Sequence, residues 1–167
     1  MVEINGAAHS ANEPETGDAV EHIADEESLY RRAPSSCIVF EGGVERISSS
    51  AFNDRGHKPS VDRARMLESV ERAKLVDSDG VLTVSAADVR AIRDIEITNP
   101  ATNPPSYYAV DVYHRPVVAD ESTATVANPA HAQIEASPHP DASSRFKKVK
   151  EALALIANRR GWIIRPQ

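Results

Sequence analysis

Two hydrophobic periods alternate along this chain, and the switches between them mark its predicted elements. The run LYRR at 29–32, ahead of a proline, and the compact CIVF at 37–40 read as short strands. Glu41-Gly42-Gly43 then supplies a turn. Residues 46–52 are the expected partner strand, with Ile47, Ser49 and Ala51 facing one way and Ser48, Ser50 and Phe52 the other. Serine is a weak strand former, which places this segment at an edge or a functional rim.

Asn53 to His57 is turn chemistry, and Pro59-Ser60 predicts a helix start, with Ser60 as N-cap and Asp62 in the first turn. Met66, Leu67, Val70 and Ala73 share one face at helical spacing, and Asp77-Ser78-Asp79-Gly80 ends the helix. Val81 to Val84 reads as a buried strand, and Ser85 with Asp88 as a capping box opening a short helix to about Ile92. Ile95 and Ile97 alternate with polar residues in another strand, and the prolines and asparagines of 99–106 demand a loop.

Tyr108, Val110 and Val112 alternate with Tyr107, Ala109, Asp111 and Tyr113 in the clearest strand. Residues 119–127 are small and polar, an exposed connection. From 130 to 136, Ala132 and Ile134 oppose His131, Gln133 and Glu135. Ser143 or Ser144 is expected to cap a last helix carrying Phe146, Val149, Ala152, Leu153 and Ile156 on one stripe, ended by Gly161 and followed by a strand at Trp162-Ile163-Ile164. The order predicts an α+β fold: a mixed, mainly antiparallel sheet with two principal helices.

Charge changes the picture at one end. Residues 1–28 carry eight acids and no Lys or Arg, and setting these aside from a net charge of −6 leaves +2 for 29–167. Few apolar groups there can offset the entropy of ordering, so 1–28 reads as a disordered acidic tail and 29–167 as a single domain. Such a tail solubilises the protein or covers a basic patch. It has neither the basic start nor the apolar stretch of a signal peptide, and no window is apolar enough to span a bilayer, so no membrane role and a cytoplasmic location are expected. Cys37 is the only cysteine, which excludes an internal disulfide.

Candidate chemistry gathers around a few residues. Tyr30, Arg31 and Arg32, with Arg46 beside Ser48 and Ser49, could hold a phosphate or carboxylate, since a guanidinium fork matches paired oxygens. Solvated surface arginines and a plain sheet edge are the favoured account, because no glycine-rich phosphate cradle follows any strand. His57, His114 and His131 are far apart in sequence and lack the pairing of a zinc site, so no metal and no cofactor are assigned. Asn128-Pro129-Ala130-His131 sets His131 at a strand mouth, as a general base or as a turn-bonding side chain. A Ser49, His131 and Asp111 triad lacks any nucleophile elbow. Lys147, Lys148, Lys150, Arg159, Arg160 and Arg165 form the one basic cluster, and the near-neutral body does not favour nucleic acid.

The segments LYRR, RISSSAF, SVD and NPAHA with a final Trp162 resemble a pattern in small bacterial proteins of unassigned function. This resemblance implies one bacterial unit over 29–167. More distantly the chain is similar to RES-type, NAD-consuming toxins and other ADP-ribosyltransferase-like domains, a resemblance that implies roles for Arg31, Ser49 and Glu135. Two expectations follow. The first is a cytoplasmic bacterial accessory or interaction protein that binds a protein partner, with no catalysis assigned. The other is an enzyme acting on a nucleotide or other small anion, with Arg31, Ser49 and His131 as catalytic candidates and Arg46, Ser48, His57 and Asp62 as binding residues.

Overall fold

The structure, a computed structural model, describes residues 21–97 and 104–167. Along the chain run β1 (Ser28–Ala33), the hairpin of β2 (Ile38–Glu41) and β3 (Val44–Ile47), β4 (Ser60–Arg63), β5 (Gly80–Ser85) and helix α1 (Ala86–Arg90). There follow the two-residue strands β6 (Glu96–Ile97) and β7 (Ser106–Tyr107), then β8 (Ala109–His114), β9 (His131–Ser137), helix α2 (Ser143–Arg160) and β10 (Trp162–Ile164). The principal sheet has the order β10-β5-β1-β4-β9-β8, and its pairings are antiparallel, as the sequence pattern predicts.

Alternation divides this sheet into two unlike faces. Leu29, Val61, Leu82, Val84, Ala132, Ile134, Val110 and Val112 point to one side and are buried there. α2 covers that side, laying Phe146, Val149, Leu153 and Ile156 on the core and packing against β5, β3 and the turn Ser49–Phe52. α1 closes the β8 end. The other face is covered only in part, by the segment 64–76 over β1 and β5.

Two local devices hold the covered side together. The β2–β3 turn has Gly42 at φ 58° and Gly43 at φ 82°, the two left-handed residues of a tight two-residue hairpin. Asn158 on α2 then fastens the hairpin: its Oδ1 accepts from the Ile47 amide and its Nδ2 donates to the Ile47 carbonyl, both at 2.8 Å.

Several expectations are corrected. Residues 46–52 are not one strand, because β3 stops at Ile47 and Ser49–Phe52 is a 3-10 turn. Ser48 caps it by accepting from the Ser50 amide, and the turn buries Ala51 and Phe52 together, which strand alternation would forbid. The helix predicted from Ser60 is replaced by β4 and two short 3-10 turns, Ala64–Met66 and Val70–Ala73. Val61 and Arg63, two residues apart, both face the core, and of the supposed helical stripe only Ala73 is buried. Ser60 and Asp62 are therefore strand residues, not cap and first turn.

α2 takes Ala142 as its N-cap without side-chain help, while Gly161 ends it at φ 77° as expected. The boundary expected at 28 falls inside the folded body, because Ile23 is 2% exposed in the core and the Asp25 and Glu27 carbonyls accept the first amides of α1. Residues 1–20, and 99–103 of the predicted loop, lie outside the described residues.

Candidate functional site

β1 and β4 pair at Leu29–Arg63 and Tyr30–Asp62, and the pairing then stops while β1 continues alongside β5. Arg31 explains the divergence. Its side chain is on the core side, and its guanidinium donates to three backbone carbonyls: Ala51 at 2.8 Å through Nε, Ser60 at 2.6 Å through Nη1 and Asn53 at 2.8 Å through Nη2. The Ser60 carbonyl is thus bound by a side chain where a neighbouring strand amide would otherwise reach it. Burial pulls the Arg31 pKa below the usual guanidinium value, with the nearby charge of Arg32 adding to this and the carboxylates of Asp54 and Asp62 opposing it.

On the open face, where the two strands part, lies a depression of about 210 Å³. Tyr30 and Arg32 stand on its β1 side, Asp62 on its β4 side, and His131 and Asn128 beyond. Tyr30, Asp62 and His131 are cross-strand neighbours in a single row. Backbone bonds from the Arg63 amide to the Ala130 carbonyl and from the Ile134 amide to the Pro59 carbonyl flank Asp62 and His131, so these two form a non-hydrogen-bonded pair, the kind with the closer side chains.

The polar atoms of this site are fixed from outside it. Asn128 Nδ2 donates to Asp62 Oδ1 at 2.8 Å, and Asn128 Oδ1 accepts from the Ala130 amide at 3.1 Å. His131 Nδ1 lies 2.5 Å from the Arg115 carbonyl. A carbonyl only accepts, so Nδ1 carries the proton and Nε2 of the neutral ring is an acceptor. Arg32 has neither a hydrogen bond nor an ion pair among the described residues.

Two further depressions adjoin. One of about 460 Å³ shares Arg32, Asp62 and Asn128, and is walled by Met66, Leu67 and Leu75 on one side and by Val126 and Pro129 on the other. Another, of about 400 Å³, shares Arg31 and Arg32 with the first and Leu75 with the second. Through these shared residues they adjoin as one groove of mixed lining, in which Leu75, 69% exposed, and Val126, 82% exposed, stand beside Glu68, Arg72 and Lys74.

The groove brings together only some of the sequence candidates. Asp62 and His131 meet on its floor. Arg31 props it open from the covered side, and Arg32, its neighbour, takes the place expected for Arg31. Ser48 and Ser49 belong to the turn packed on α2, and Ser49 lines none of these depressions. Arg46 pairs with Glu41 on the hairpin. His57 stacks on Phe146 at 4.9 Å, with its Nδ1 3.0 Å from the Pro140 carbonyl, in a separate depression of about 360 Å³ beside the start of α2.

His114 faces the covered side, where burial, and then the charge of Arg63, pulls its pKa below 6.5. The three histidines are therefore dispersed, and no metal-holding group of His, Cys, Asp or Glu occurs among the described residues. Glu135 is paired with Lys58 and Arg115. In the basic cluster, Lys147, Arg160 and Arg165 pair with Glu151, Asp88 and Glu45.

Sequence reasoning set Tyr30 and Arg32 beside Arg31 in its anion-binding cluster and Asn128 in the turn before His131, but named none of the three as a site residue. It also missed the part taken by the acidic segment, whose Glu21 and Glu27 hold Arg63 and Arg65 while Asp25 holds Arg90. The signal was available only for Arg32: two arginines in succession on a strand must point to opposite faces, so one of them leaves the core side.

Compared with protein-family models, curated proteins and solved structures, the chain matches none. No helix among the described residues is long and apolar enough to cross a membrane.

Proposed function

We propose that the chain is a bacterial, cytoplasmic accessory protein whose open sheet face docks a protein partner. The observation that supports this is the groove: exposed apolar groups at Leu75 and Val126 flank Arg32, a cation with no partner among the described residues. Exposed apolar surface rimming polar groups is the usual composition of a binding patch. An enzyme built on Arg31, Ser49 and His131 draws no support from the same geometry, since the Arg31 guanidinium serves three carbonyls and Ser49 lines none of the groove's depressions.

A photo-crosslinking residue placed at Leu75 or Val126 in living cells tests the reading against one at Leu155, on the exposed side of α2. The groove positions are expected to capture one and the same protein, Leu155 is expected to capture none, and Arg32→Glu is expected to suppress capture. Equal capture from Leu155, or none from the groove, overturns the proposal.

A further inference from the structure

Arg32 and Asp62 carry opposite charges, stand on the two strands that part, and face one depression, yet they form no ion pair. Asp62 is turned by Asn128, which holds Oδ1 at 2.8 Å and leaves Oδ2 without a hydrogen bond among the described residues. His131 Nε2, its tautomer set by the Arg115 carbonyl, adds a second acceptor next to Asp62. The site thus offers a cationic donor on one wall and two acceptors, one of them anionic, on the other.

A simple anion would meet Arg32 at the expense of standing beside the Asp62 carboxylate, and a simple cation would meet the reverse. A molecule that carries both charges on neighbouring atoms satisfies both walls at once. We propose that this wedge binds a free α-amino acid, its carboxylate on Arg32 and its ammonium on Asp62 Oδ2 and His131 Nε2. A depression of about 210 Å³ accommodates the two charged groups, and the side chain then extends into the adjoining space walled by Met66, Leu67 and Val126. That space is also lined by Glu68, Arg72 and Lys74, and the apolar residues in its lining favour an apolar side chain. Binding is non-covalent, and because Arg32 and Val126 also belong to the docking groove, the amino acid and the partner share this surface.

Isothermal titration of the full chain with each protein amino acid in turn tests this. Leucine, isoleucine, valine or methionine is expected to bind. Blocking either end, as the N-acetyl derivative or as the amide, is expected to weaken binding at least about tenfold, the loss of one charge-assisted contact. Arg32→Gln and Asp62→Asn, both at partly or fully exposed positions, should each abolish the signal while the circular dichroism spectrum is unchanged. Absence of binding by every amino acid, or equal binding of free and blocked forms, overturns the inference. Capture of a partner at Val126 without amino-acid binding defeats this inference alone, and amino-acid binding without capture defeats only the partner reading.

Discussion

The guanidinium of Arg63 is 0% exposed, and three contacts with acids surround it. Glu27 takes Nε at 2.7 Å and Nη2 at 2.9 Å as a bidentate pair, and Glu21 stands 3.2 Å from Nη1. Removing Arg63 leaves the buried Glu27 carboxylate with only the half-exposed Arg65 as a partner, so Arg63→Ala should cost about 3 kcal/mol or more. Glu27 shows how the pair responds to pH. Burial alone would raise its pKa, but hydrogen bonds and charge from Arg63 and Arg65 outweigh that, and the folded carboxyl titrates below the usual 4.5. The folded state consequently holds fewer protons than the unfolded one. Its contribution is complete above about pH 4.5 and is lost as pH falls through the folded value. Urea denaturation at pH 7 and pH 3 should therefore show the deficit of Glu27→Gln shrinking at the lower pH. A deficit that stays constant would mean that Glu27 is not held ionised by Arg63.

At the scale of elements, β4 separates what the sequence discloses from what only the fold decides. Ser60, Val61, Asp62 and Arg63 suit a capped helix start by every local rule, and the apolar spacing that follows agrees. What overrides them is non-local: a strand at this point joins β1 to β9, and its two core positions receive Leu29 and Ala132 as neighbours. Proline discriminates the alternatives. At the first position of a helix after Ser60, Val61→Pro would be tolerated or favoured. Within a central strand it deletes a ladder donor and a buried side chain, and thermal unfolding should register a loss of about 3 kcal/mol or more.

Elements with strong local periods, β8, β9 and α2, are legible in the sequence because burial on one face leaves its period in the residues, and β5, buried on both faces, is legible as an unbroken apolar run. The serine turn was not, since capping by Ser48 and joint burial of Ala51 and Phe52 leave no period. Of the site, Asp62 and His131 were legible by residue type. Arg32 and the wedge beside it depend on where two strands part, which no short motif records.

On the scale of the whole molecule, a sheet with one partly open face must also protect its two edges, or copies will pair through them. β8 is the outermost strand beyond β9. The Arg115 amide bonds back to the His131 carbonyl, so by alternation the amides of Val110, Val112 and His114 point away from β9. Asp111 covers the middle one: its Oδ1 accepts from the Val112 amide and from Arg90 Nε, both at 2.7 Å. Arg90 in turn is held by Asp25 at 2.5 Å, so the acidic segment that closes α1 also supports the guard on the edge. Asp111→Val removes the acceptor, strands Arg90 and lengthens the apolar run on the strand. Size-exclusion chromatography with light scattering should then show concentration-dependent association that the unsubstituted protein lacks at the same concentrations. Asp111→Asn, which retains an acceptor at the same place, should restore the unsubstituted profile. If Asp111→Val matches the unsubstituted protein at every concentration, the edge is guarded by something other than this carboxylate.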